Sequence, residues 1–264
     1  MMHLLQHAKV VRQKGFTVVE LLVVIVATGL IMGLVFNFFW QYWQYAEKSQ
    51  SDLDAFTARL DISDYIRENV GTSSGLITQN SITDPNANVP DAVAGANYWE
   101  TVHPVPGTKN TNTAQDQSLL YYKRFSQDNT KNFIFNGTNP YEDEFVMYLN
   151  RSGEIRVRTL ANSNAAGNGQ TTSCPPEIAT TTCPADKFLI GDVSSVAVRY
   201  FSRSGNLLDY TPVYDPVLDS FVYGPDFPSV EVIEYTINIA KKAFTQTSDT
   251  TKSSTIIRIA IRNQ

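Results

Sequence analysis

The apolar positions of this chain gather first into one sustained run. Residues 21–40, LLVVIVATGLIMGLVFNFFW, carry no charge, and twenty residues at about 1.5 Å each make a helix of about 30 Å, the thickness of a bilayer's hydrocarbon core. Beyond residue 43 the helical spacing persists while the composition changes. Leu53, Phe56, Leu60, Tyr65, Ile66 and Val70 recur among Asp52, Asp54, Arg59, Asp61, Asp64, Arg67 and Glu68. No proline interrupts residues 16–70. The pattern predicts one helix of about 80 Å over that stretch, membrane-spanning over about 18–43, amphipathic beyond, and stopped at Gly71.

The period then shortens to two. After a polar Asn/Thr/Pro tract over about 72–117, in which 76–77 and 98–99 are the apolar anchors, strands are predicted at 119–125, 131–135 and 145–149. The turn at Asn150 to Gly153 leads into the alternating Ile155, Val157 and Thr159, a hairpin. Residues 161–186 are poor in apolar side chains, punctuated by Gly and Pro, and read as a surface excursion. Further strands are expected at 188–190 and 193–201, then a Ser204-Gly205 turn. A Tyr/Pro-rich segment at 209–228 precedes two final alternating strands at 230–240 and 255–262. The fold class is therefore α+β: a long N-terminal helix carrying a β-rich head over 71–264, 194 residues, long enough for its own core.

One residue breaks the apolar run. Glu20 lies just inside it, and an ionisable group at membrane depth costs on the order of 2.5–3.5 kcal/mol on the most lenient insertion scale, which marks it as a functional candidate. Ahead of it stand Lys9, Arg12 and Lys14 with no acid in residues 1–15, then Gly15 and Phe16. By the positive-inside rule this leader is cytoplasmic. A secretory signal would have a shorter apolar core and a small-x-small cleavage site, and neither is present here.

The order glycine, phenylalanine, Thr17, two β-branched residues, glutamate and leucines resembles the class III signal of type IV pilins and type II secretion pseudopilins. The resemblance implies that a prepilin peptidase cuts the 1–15 leader at Gly15–Phe16, that Phe16 becomes an N-methylated first residue, and that Glu20 is the family's glutamate. It further implies partners: other pilins or pseudopilins, the peptidase, an inner-membrane assembly platform and membrane lipid. The chain would sit first in the cytoplasmic membrane with its head outside and then in a pilus or pseudopilus. Glu20 of one subunit would pair with the Phe16 amine of a neighbour, where a low dielectric strengthens the attraction. Gly29 and Gly33 form a G-x-x-x-G, readable as a close helix contact in assembly or as ordinary membrane-helix glycine. The final strand, polar loop and TIIRIAIRN are loosely similar to the C-terminal hairpin of larger minor pilins and J-type minor pseudopilins. A head this large suits a minor, tip or initiation subunit.

Charge and chemistry narrow the reading. Losing the leader takes Lys plus Arg from 21 to 18 against 26 acidic residues, so the formal charge moves from -5 to -8. An exported chain of that charge lacks the basic stripe that nucleic acid requires, and Lys123-Arg124 or Lys241-Lys242 are too small to supply it. Of three histidines, His3 and His7 lie in the leader, leaving His103 without an evident partner, so triads and His-based zinc sites are set aside. No P-loop, GxGxxG or GxSxG occurs, and no enzyme is expected. No cofactor is expected either. Glu142, Asp143 and Glu144, or Asp215 and Asp219, offer oxygens for Ca²⁺ without the spacing of a known loop and read first as solvated acidic turns. Cys174 and Cys183, an isolated pair in an exported chain, are expected to form one disulfide closing a short loop, worth about 2–3 kcal/mol. Asn136-Gly137-Thr138 fits a glycosylation sequon. The alternative of another class is a signal-anchored extracytoplasmic ligand-binding protein that never polymerises.

Overall fold

The computed structural model describes residues 17–87, 97–100, 107–208, 213–215, 220–222, 230–242 and 250–261. Side chains of 213–215, 220–222, 241–242 and 250–253 are outside that description, as are Gly15, Phe16, His103, Asp219 and most of 209–228.

The charge-free run and the amphipathic run are one helix, α1, Val18–Asn69. It stops where the sequence places a glycine. The Gly71 N–H bonds back to the Ile66 carbonyl at 3.1 Å, and a Cβ at Gly71 would lie 2.6 Å from the Arg67 carbonyl oxygen, so only glycine follows the last turn this closely. By the packing of its backbone the chain divides into two units, with the boundary at Ser49 and Gln50.

Thirteen strands follow among the described residues: β1 (Gly75–Ile77), β2 (Gly107–Asn110), β3 (Gln117–Phe125), β4 (Phe135–Asn136), β5 (Asn139–Pro140), β6 (Glu142–Leu149), β7 (Ile155–Leu160), β8 (Lys187–Ile190), β9 (Val193–Phe201), β10 (Val213–Asp215), β11 (Ser220–Val222), β12 (Val232–Lys242) and β13 (Thr250–Ala260). They form an antiparallel sheet ordered β1-β3-β6-β7-β8, a second ordered β13-β12-β9-β2, and two small ribbons, β4-β5 and β10-β11. The α+β architecture is thus a long apolar helix and a β-rich head. In the β6–β7 hairpin, Gly153 adopts φ 79°, and a Cβ there would meet the Val193 carbonyl oxygen at 2.8 Å.

One core joins both large sheets to the last turns of α1: Ile62, Ile66 and Val70 pack with Tyr122, Val146, Val157, Val196, Tyr235 and Ile257. Of the six apolar positions expected on the amphipathic half, Ile66 and Val70 are buried in the head and Tyr65 packs against it, whereas the first three face outward. Leu53, Phe56 and Leu60 are 59%, 54% and 47% exposed, and the buried positions are Ser51, Ala55, Ile62 and Ile66. The two sets lie about 140° apart around the helix; this segment has two apolar faces, and the head takes the one with smaller side chains at its start.

Two strand expectations shift. Residues 131–134 do not form a ladder strand, and of the expected stretch only Phe135 enters one, the short β4: Asp128 accepts the N–H groups of Thr130 (2.8 Å) and Asn132 (2.9 Å), curling the chain, and an isolated bridge pairs Gln127 with Phe133. In the final hairpin, β12 and β13 run Val232–Lys242 and Thr250–Ala260, with Ile233, Tyr235, Ile237, Ile257 and Ile259 buried while Ile256 and Arg258 are exposed.

Candidate functional site

The apolar end of α1 is built around a reciprocal cap. Thr17 precedes the helix, and its Oγ1 accepts the Glu20 N–H at 3.3 Å. The Glu20 carboxylate turns back to accept the Thr17 N–H at 2.9 Å and the Thr17 hydroxyl at 3.0 Å. The stretch Thr17-Val18-Val19-Glu20 is therefore a capping box, satisfying backbone donors that the first turn leaves open. Sequence reasoning treated Glu20 as a cost of burial; the S/T-x-x-E spacing that would have shown its local partner was in plain view. Beyond the cap, every large apolar side chain from Val18 to Tyr45 is exposed, and α1 is long and apolar enough to cross a membrane. A Cβ at Gly29 or Gly33 would meet nothing within 4 Å, so both glycines present open backbone on one face.

In the head, the polar centre is Arg158, fully buried. Its Nε and Nη2 donate to the two oxygens of Asp186 at 2.6 and 2.8 Å, a bidentate pair, and its Nη1 donates to Asp84 at 2.6 Å. Every remaining partner is drawn from a different segment. Trp99 Nε1 donates to Asp84 (2.8 Å), while the Tyr148 hydroxyl (2.6 Å) and Ser173 Oγ (2.6 Å) donate to Asp186. The guanidinium carbon stands 5.5 Å from the centre of the Trp99 ring. Desolvation alone would lower the Arg158 pKa, but the hydrogen bonds and charge of Asp186, joined by Asp84, hold it more firmly protonated than usual. Burial first, then Asp186, pushes the Tyr148 phenol well up.

The disulfide is the outer brace of this cluster. Cys174 and Cys183 are bridged, and the bridge lies between Ser173 and Asp186. The Cys174 N–H bonds to the Pro184 carbonyl and the Asp186 N–H to the Cys174 carbonyl, both at 2.8 Å. Asn86 Nδ2 reaches Cys174 Sγ at 3.3 Å. The 161–186 excursion is thus only partly a surface feature, since Ala165, Ser173, Cys174 and Asp186 are buried.

The acidic triplet is not a solvated turn. Glu142, Asp143 and Glu144 open β6, with Asp143 and Glu144 buried. Asp143 Oδ1 accepts from Ser126 Oγ (2.9 Å), Asn162 N (2.8 Å) and Asn168 Nδ2 (2.7 Å). Glu144 accepts from Ser81 and Ile82 N–H groups at 2.7 and 2.9 Å. These carboxylates tie loops to the sheet, because buried acceptors must find donors. Among the described residues, no group of three or more His, Cys, Asp or Glu side chains is arranged to hold a metal. The side chain of Asp215, and all of Asp219, lie outside the description. Of the basic patches, Lys123 is paired with Glu142 (3.4 Å) and Arg124 with Asn69 (2.7 Å). Asn136 and Gly137 are exposed at the β4–β5 turn.

The arrangement of N-terminal residues carries over into a comparison with known families. Residues 11–36 match the prokaryotic N-terminal methylation motif. The matched residues include Gly15, Phe16 and Glu20 and run on through Gly29 and Gly33 to Phe36. The methylation motif supports a type IV pilin-like precursor, and with α1 it fits a membrane-anchored protein. The head lies outside the matched residues. No curated protein and no solved structure matches the chain.

Proposed function

We propose that this chain is a non-enzymatic structural subunit of a type IV pilus or pseudopilus, cut after Gly15 by a prepilin peptidase and N-methylated at Phe16. The observation that carries the reading is the methylation motif leading directly into a helix whose large apolar side chains from Val18 to Tyr45 are all exposed. A helix of that kind is satisfied in lipid or among like helices. The outward stripe of Leu53, Phe56 and Leu60 continues the apolar surface past the membrane-length run, and packing beside other pilins or pseudopilins would cover it. In such an assembly Glu20 would exchange its own Thr17 for the Phe16 amine of a neighbour, and Gly29 and Gly33 would allow close helix contact. The large acidic head favours a minor, tip or initiation role.

Mass analysis of the native protein tests this reading. The expected mature chain begins at a monomethylated Phe16. A chain that keeps residues 1–15 in cells with an active processing peptidase overturns it and leaves an anchored protein instead. Glu20→Gln is expected to preserve insertion and processing while sharply reducing incorporation into filaments.

A further inference from the structure

The membrane-length apolar run of α1 ends in a ring. Trp40, Tyr42, Trp43 and Tyr45 are exposed by 49%, 64%, 66% and 72%. At about 100° per residue they project at roughly 0°, 200°, 300° and 140° around the helix, so together they encircle it. A seam against a neighbouring helix would gather its aromatic side chains on one face. A ring instead suits a planar boundary, where an indole or phenol keeps its ring in apolar surroundings and its N–H or O–H wet. Charge marks the same level: after Glu20 the next charged residues are Glu47 and Lys48, just past the ring.

We propose that the ring over residues 40–45 seats α1 at the headgroup–acyl boundary of a phospholipid bilayer and so holds Thr17 and Glu20 at the opposite boundary. Trp40 is twenty residues beyond Glu20, about 30 Å along the helix, which equals the hydrocarbon thickness. With Trp40 at one face of the bilayer, the Glu20 carboxylate and its Thr17 donors reach the other face, within hydration. The carboxylate is then tolerated because it stands at the edge of the lipid, capped, and not in its interior. This inference rests on the membrane-anchor reading and adds the depth at which the helix sits.

The full chain is reconstituted into phosphatidylcholine vesicles whose acyl chains carry bromine near the glycerol end, at mid-chain, or near the methyl end, and vesicles are floated before tryptophan emission is read. The chain has three tryptophans, Trp40, Trp43 and the buried Trp99 of the head, so the quenchable emission belongs to the first two. The loss of emission is expected to be greatest with bromine near the glycerol end and least near the methyl end. Trp40→Phe with Trp43→Phe, which keeps an aromatic ring, is expected to abolish the quenchable part. Greatest loss with bromine near the methyl end overturns the proposal, as does no loss in vesicles that float with the chain, which would mean that neighbouring helices cover the ring. A chain that does not float with the vesicles overturns the membrane-anchor reading as well.

Discussion

Arg158 stands between two buried aspartates, and neither pair survives its removal. Taking one partner from a buried ion pair strands the other, at about 3–5 kcal/mol. Arg158→Ala is therefore expected to lower stability by about that amount in denaturant unfolding, with Trp99 fluorescence reporting the loss directly, since its ring lies over the guanidinium. Alkali tests a second set of residues. Burial raises Tyr65, Tyr122, Tyr148, Tyr200 and Tyr235 above the ordinary phenol value near 10. The unfolded chain then loses these protons first as pH rises, so stability is intact below about pH 10 and declines above it. The tyrosinate absorbance of these five buried phenols and the near-UV dichroism are expected to change together in one cooperative step on that alkaline side. None of these partnerships was legible beforehand. Arg158 meets Asp84 across 74 positions and Asp186 across 28, and no local spacing signals so distant a contact. Glu20 is the opposite case: its partner lies three residues away, and the capping pattern was readable from four letters.

At the scale of elements, the second half of α1 makes two distinguishable predictions. Ile62→Ala or Ile66→Ala removes a side chain buried against the head and is expected to cost about 2–5 kcal/mol in thermal or denaturant unfolding. Leu53→Ala or Leu60→Ala removes an exposed one and is expected to change stability by less than about 0.5 kcal/mol and, under the proposed function, to reduce recovery in sheared filaments. The disulfide closes a loop of nine residues' separation, so Cys174→Ser is expected to cost about 2–3 kcal/mol by chain entropy. The position of the helix, the β6–β7 hairpin, β9 and the disulfide could be read from period, turn residues and cysteine count. What could not be read was which of two apolar faces the head would choose, because Ala55 and Ser51 give little signal by hydrophobicity. The burial of Asp143 and Glu144 was missed for a related reason: their donors, from Ser81 to Asn168, sit on loops that carry no periodicity.

For the whole molecule, the division at Ser49 and Gln50 groups the last turns of α1 with the head. A chain starting at Gln50 is expected to be soluble and to unfold cooperatively, whereas one starting at Gly71 lacks Ile62, Ile66 and Val70 and is expected to show no cooperative transition by circular dichroism. The α+β architecture was visible because a 20-residue charge-free run and a later period of two are both long signals. The sheet order was not, since β2 and β8 join their sheets through contacts far apart in sequence.

The cap at Thr17 bears on how easily subunits come and go. Because Glu20 is already held by its own first turn, a solitary chain has no naked carboxylate awaiting rescue, and joining a growing fibre swaps one set of donors for another. Trades of that sort release little net energy in either direction. Under the proposed function, a polymer resting on them would dismantle as readily as it grows, its direction set by forces other than this exchange.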